Sequence, residues 1–234
     1  VTGGVKCEGS VDITCGSVMH AEMWDPTANP SCLAQTPWRT MAGQNEVRAY
    51  HSIAALLPDG RVLVGGGGLP GAEGEIDLNG IEITDVFDNF AKFHGHKTVE
   101  FYSPPYLFDS NGNAAARPSI TSAPPNVLYG QSFNVGTSGS GPTPKVSLVR
   151  LPSVTHGFNQ DQRHIFLNAS VVNSSTISVT APANSNECPP GHYMLFVMNN
   201  GVPSVAAIVR VGNASMFQTD VPAAHQLGNG QAFE

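Results

Sequence analysis

Tyr50 and His51 stand side by side near the head of VRAYHSIAALLPDGRVLVGGGG (Val47–Gly68), and His156 stands within LPSVTHGFNQDQRHI. Imidazole is a ligand for transition metals. A phenolate and an imidazole can also hold or release protons. On a regular strand, neighbouring side chains point to opposite faces. Tyr50 and His51 therefore serve one metal only from a twisted or turning backbone, which puts them ahead of a strand and not inside it. His156 shares its stretch with Asn159, Gln160, Asp161, Gln162 and Arg163. A solvated hairpin tip accounts for that histidine as well as a metal does.

Other residues offer weaker chemistry. His94 and His96 form an H-x-H pair that would share one face of a strand. They border an acidic stretch carrying Glu73, Glu75, Asp77, Glu82, Asp85 and Asp88, whose spacing does not fit an EF-hand loop. A solvated acidic insertion is the better description of residues 69–96. His20, His164, His192 and His225 have no partner signature and are read as packing or surface residues. Asp161 is near enough in sequence to orient His156, but there is no G-x-S-x-G elbow and no placed nucleophile for a hydrolase.

The elements that would position these residues are strands. Charged residues make up 12% of the chain, about half the usual level. Glycine and proline are frequent, at 25 and 18. That suits a loop-rich all-β protein. The net charge of -7 and the lack of any basic cluster exclude nucleic acid as a partner. No stretch approaches the 18 apolar residues of a membrane helix. From Gly16 onward a strand, a turn anchored by Trp38 and the hairpin ending in Gly65-Gly66 make up one propeller blade of the kelch type. Val1–Gly4 would close the preceding blade. A chain that begins inside a strand is expected to be a fragment or a processed product.

The run TVEFYSPPYLF is a strand ending in Pro-Pro, and DSNGNAAARP is a linker. Beyond it, PNVLYGQSFNV, KVSLVRLPSV, HIFLNASVV, STISVTAP, GHYMLFVMNN and SVAAIVRV predict six or seven strands of an immunoglobulin-like sandwich. The expected organisation is blades over 1–110, with the acidic insertion at 69–96, a sandwich over 115–212 and an irregular tail over 213–234. Cys7, Cys15, Cys32 and Cys188 lack C-x-x-C spacing, so a zinc knuckle is not expected, and three pairings remain open. Cys7 and Cys15 flank a short loop and could pair, the sequence does not choose among the pairings, and an oxidising compartment is the preferred reading. Asn168-Ala-Ser, Asn173-Ser-Ser and Asn213-Ala-Ser are sequons that permit a secreted eukaryotic origin without arguing for one.

Four long stretches, in order, carry a resemblance: VRAYHSIAALLPDGRVLVGGGG, FYSPPYLFDSNGNAAARP, VSLVRLPSVTHGFNQDQR and PPGHYMLFVMNNGVPSVAAIVRV. They are similar to the C-terminal part of galactose oxidase and glyoxal oxidase, the secreted mononuclear copper-radical oxidases. The resemblance implies the last blades of a seven-bladed kelch propeller followed by the sandwich, one of whose hairpins brings a histidine to the propeller axis. It implies Cu(2+) held by Tyr50 (axial ligand and general base), His51 (equatorial ligand) and His156. It also implies a substrate that is a small alcohol, aldehyde or sugar, with O2 reduced to hydrogen peroxide. The family's Tyr–Cys radical cofactor belongs to blades outside this chain, and none of the four cysteines matches its position. The N-terminal propeller portion of the same precursor is therefore an expected partner. A non-catalytic kelch and immunoglobulin-like extracellular module, for binding or for structure, is the alternative reading.

Overall fold

A computed structural model describes residues 18–25, 37–46, 48, 51–67 and 98–217. They form strands throughout, with two short 3-10 turns at Pro105–Leu107 and Ala214–Met216. No helix among the described residues is long and apolar enough to cross a membrane. The chain divides into two compact units, one of residues 1–115 with 152–162 and the other of residues 116–151 with 163–234.

In the first unit, β1 (His20–Trp24) pairs with β2 (Trp38–Gly43) as a two-stranded sheet. A separate antiparallel sheet runs β3 (Ser52–Leu56), β4 (Val62–Gly66) and β5 (Val99–Tyr102). The described strands of the stretch expected as one blade lie in these two sheets. Trp38 lies not in a turn but in β2, directly opposite Trp24. The β3–β4 connection is the tight turn that Pro58-Asp59-Gly60 calls for. The Gly60 N–H donates to the Leu57 carbonyl, and the Leu57 N–H to the Arg61 carbonyl. Gly60 has a φ of 82°, which a side chain would resist.

The stretch expected as a linker after β5 is instead a closed turn. Asp109 Oδ1 accepts the Asn111 and Asn113 N–H groups, and the Asp109 N–H donates to the Asn113 carbonyl. A short aspartate side chain mimics a backbone turn here, as Asx turns do.

Among its described residues the second unit has ten strands where six or seven were expected. Six lie in one sheet, in the order β12 (His164–Leu167), β9 (Lys145–Arg150), β15 (Gly191–Asn199), β17 (Ala207–Gly212) and β7 (Asn126–Leu128), with β16 (Val202–Pro203) beside β15. Four lie in the other, in the order β13 (Ala169–Asn173), β14 (Thr176–Thr180), β8 (Ser132–Ser138) and β6 (Ser119–Ser122). Two runs taken as single strands are each two. PNVLYGQSFNV breaks at Gly130 (φ 68°), whose N–H donates to the Pro182 carbonyl, and β7 and β8 fall in different sheets. HIFLNASVV breaks at Asn168, whose carbonyl accepts the Thr180 N–H, and β12 and β13 likewise part.

The two sheets share one core. Val127, Val146, Leu148, Tyr193, Leu195, Val197, Val209 and Val211 from the larger sheet meet Val135, Ile177 and Val179 from the smaller. Alternation along β8 and β14 turns every second side chain inward. Each such valine or leucine contributes about 1.5–3 kcal/mol on full burial. Cys188 is buried in this core as a free thiol, and desolvation pushes its pKa up. That removes it from the expected pairings. Cys7, Cys15 and Cys32 lie outside the described residues, as do the acidic insertion, His94, His96 and His225.

Candidate metal centre

Within the first unit, His51 precedes β3 with a φ of 64°. This is left-handed backbone, uncommon for a residue with a side chain and worth a functional reading. It supplies the turning chain that a ligand pair at residues 50 and 51 requires. Opposite it, Gly66 ends β4 with a φ of 68° and pairs with Ser52. A Cβ at Gly66 would lie 3.2 Å from the His51 carbonyl oxygen, so the glycine lets the two backbones approach. Tyr50 lies outside the described residues.

His156 sits on a minimal hairpin. β10 (Val154–Thr155) and β11 (Phe158–Asn159) are joined by His156 and Gly157 alone, with φ of 53° and 71°. Positive φ at both central residues defines a type I′ turn, where the usual sequence is Asn-Gly. Asn159 braces its base, accepting the Ser153 and Asp161 N–H groups on Oδ1. The Gln160 N–H donates to the Ser153 carbonyl. The Gly157 N–H donates to the Ser52 carbonyl at 2.6 Å and so docks the hairpin on the start of β3.

That docking brings the two histidines together. Their ring centroids are 4.4 Å apart and the rings are inclined by 73°. A metal bound about 2 Å from an imidazole nitrogen lies roughly 3 Å from the ring centroid. Two imidazoles at right angles around one metal then have centroids about 4 Å apart, so the observed pair fits adjacent positions in a square-planar field. Thr155 Oγ1 lies 2.7 Å from His156 Nδ1. Where Nδ1–H donates to this hydroxyl, Nε2 is left as the ligand atom. Among the described residues, no group of three or more His, Cys, Asp or Glu forms a metal site. Further ligands must therefore come from other residue types or from residues beyond those described.

Arg48 is the residue that motif reading passes over. It is 1% exposed, although charged side chains are rarely buried unless paired. Nη1 donates to the Gly66 carbonyl (2.8 Å) and the Thr98 carbonyl (3.0 Å). Nη2 donates to Thr98 Oγ1 (3.2 Å) and Glu100 Oε2 (3.3 Å) and lies 3.6 Å from Glu46 Oε2. The Thr98 hydroxyl donates to Glu46. Glu100 is held below the usual carboxylate range by the Asn45 backbone N–H first, and by the Asn45 side chain and Arg48 as well. One guanidinium thus ties the ends of β4 and β5 to the segment that leads into His51. The available signal was an arginine in an apolar run of a chain with only 11 basic residues.

The other described histidines lie in other elements. His20 is in β1, His192 in β15, and His164 in β12 against Phe166, where burial lowers its pKa.

Several known proteins resemble this chain. Residues 117–211 match the family model "Galactose oxidase-like, Early set domain". Over 167 residues the chain is 41% identical to a galactose oxidase of Gibberella zeae, covering 70% of this chain and 22% of that protein. It is 38% identical over 173 residues to the aldehyde oxidase GLOX of Vitis pseudoreticulata, covering 70% and 30%. A solved fungal alcohol oxidase of the AA5 family, in complex with copper, superposes with a TM-score of 0.70 at 29% identity. That match covers 90% of this chain and 41% of the solved one. The class is therefore an all-β protein with a galactose oxidase-like early set domain. The chain is similar to galactose oxidase and glyoxal oxidase and spans 22% and 30% of the length of these two curated relatives.

Proposed function

We propose that this chain supplies the copper-binding portion of an oxidase that converts primary alcohols or aldehydes with O2 and releases H2O2. The observation that carries the proposal is the meeting of His51 and His156, both on left-handed backbone, 4.4 Å apart between ring centroids. Three ligands are assigned to this chain: the imidazoles of His51 and His156 and the phenol of Tyr50. Bound copper would supply one-electron redox chemistry between substrate and O2. His51 and His156 would hold the metal together. Tyr50, as phenolate, takes the hydroxyl proton of the alcohol as general base. Two electrons and two protons leave the alcohol as it becomes the aldehyde, and both appear in H2O2.

The reading extends to parts not described above. Residues 1–110 are taken as the last blades of a seven-bladed kelch propeller, 115–212 as the sandwich and 213–234 as a tail. The N-terminal propeller portion of the same precursor and its Tyr–Cys radical cofactor complete the centre. The family relatives favour an alcohol or aldehyde substrate, and the cysteine content and sequons are compatible with an exported protein.

The test is metal content and peroxide release in the full-length protein with and without His156→Ala. Wild type is expected to hold one copper per molecule and to release peroxide with a primary alcohol or aldehyde. The variant is expected to lose most of both. Equal copper and peroxide in the two proteins would overturn the proposal.

A further inference from the structure

Three sequons are present, and one of them is built as an acceptor. Asn173, Ser174 and Ser175 are all exposed, at the two-residue turn between β13 and β14, with Asn173 paired to Thr176 across it. Asn173 Oδ1 accepts both the Ser175 N–H (2.9 Å) and the Ser175 hydroxyl (3.1 Å). A hydrogen bond from the sequon hydroxyl to the amide oxygen draws electron density from the nitrogen and makes its N–H more acidic, which eases the proton loss that transfer requires. The turn is made by residues 173–176 alone, so it can form before the sandwich closes around it.

The other two sequons are arranged differently. Ser170, the hydroxyl of the Asn168 sequon, lies inside the β13–β14 ladder opposite Ser178, and the Asn168 carbonyl is held by the Thr180 N–H. Ser215, the hydroxyl of the Asn213 sequon, lies within the 3-10 turn Ala214–Met216. Neither segment is a free turn folding its serine back on its asparagine.

We propose that Asn173 is the preferred N-glycosylation site of this protein. The inference rests on the proposed export, since the sugar donor is a lipid-linked oligosaccharide diphosphate of the secretory route. In the transfer, a bond forms between Asn173 Nδ2 and the sugar C1. The bond from C1 to the diphosphate oxygen breaks, and one amide proton leaves with the lipid diphosphate. The glycan would stand at one end of β13, the edge strand of the four-stranded sheet. Val171 and Val172 on that strand are 46% and 57% exposed. An exposed apolar edge invites pairing with another chain, and a bulky solvated group beside it opposes that.

The test is secretion of the full-length protein from a yeast with a supplied leader, then enzymatic deglycosylation in heavy-oxygen water and peptide mass spectrometry. Supplying the leader makes the result independent of native export, which recovery of the native protein from culture medium tests separately. Asn173 is expected to carry the label in most molecules, at several-fold higher occupancy than Asn168 or Asn213. Asn173→Asp keeps an oxygen acceptor for Ser175 and is expected to secrete while losing that sugar mass. An unlabelled Asn173, or occupancy no higher than at the other two sequons, would overturn the inference.

Discussion

His51 and His156 share a backbone state that side chains ordinarily avoid, with φ of 64° and 53°. Left-handed backbone costs an ordinary L-residue about 1–2 kcal/mol, while asparagine tolerates it through local hydrogen bonds. At the first central position of a type I′ turn followed by glycine, asparagine is the favoured residue. His156 therefore occupies a place where another side chain would suit the turn better, as expected where chemistry selects the residue. Two substitutions separate these roles. His156→Asn and His156→Ala both remove the imidazole and its contact with His51, so both are expected to lose copper. In the metal-free protein, His156→Asn should be the more stable by about 1 kcal/mol, or a few °C in Tm. Equal melting of the two variants would mean that the turn exerts no such demand. The residue types were legible in the sequence, because Tyr-His-Ser and Thr-His-Gly sat in extended motifs. The strain was not, because histidine carries no turn signal of the kind Asn-Gly does.

At the scale of elements, Arg48 holds together what local hydrogen bonding does not. β3, β4 and β5 pair as an ordinary ladder, but the strand end at Gly66 and the strand start at Thr98 are joined by one buried guanidinium. Removing it leaves Glu46 and Glu100 without their shared cation and two backbone carbonyls without their donor. Leaving buried backbone acceptors without their donor costs about 1–3 kcal/mol. Arg48→Met in the full-length protein is expected to lose that much stability in urea unfolding. A loss below about 1 kcal/mol would show that solvent replaces the clamp. The sequence marked the β3–β4 hairpin well, since Pro-Asp-Gly lies between two apolar runs. It did not settle the breaks at Gly130 and Asn168, because apolar residues resume within a few positions on both sides of each. What breaks each run is a contact from distant chain, to Pro182 in one case and from Thr180 in the other. Pattern along the chain carries no trace of such partners. The Asp109 turn was missed for the opposite reason, since Asp, Asn and Gly read equally as linker and as Asx turn.

On the scale of the whole molecule, the second unit lends a piece of its chain to the first. β9 and β12 are antiparallel neighbours, with Val149 opposite His164 and the Arg150 N–H donating to the Arg163 carbonyl. A two-residue turn would suffice to join them. Instead the chain between Leu151 and Arg163 spends Pro152–Gln162 on a hairpin that belongs to the first unit and carries His156. None of those residues enters the sandwich core, whose members run from Ile120 to Val211 and skip this stretch. The sandwich therefore does not depend on the hairpin, whereas the proposed copper centre does. Replacing residues 151–162 with Asn-Gly in the full-length protein should preserve the β9–β12 pairing through a type I′ turn. The sandwich is expected to keep its amide-exchange protection at Val146, Leu195 and Val209, within about 1 kcal/mol of wild type. Copper content is expected to fall to background. If protection at those three amides collapsed, the hairpin would be part of the sandwich's stability. If copper stayed bound at one per molecule, His156 would be dispensable to the centre. Retained core with lost copper is the outcome that assigns the hairpin to chemistry alone.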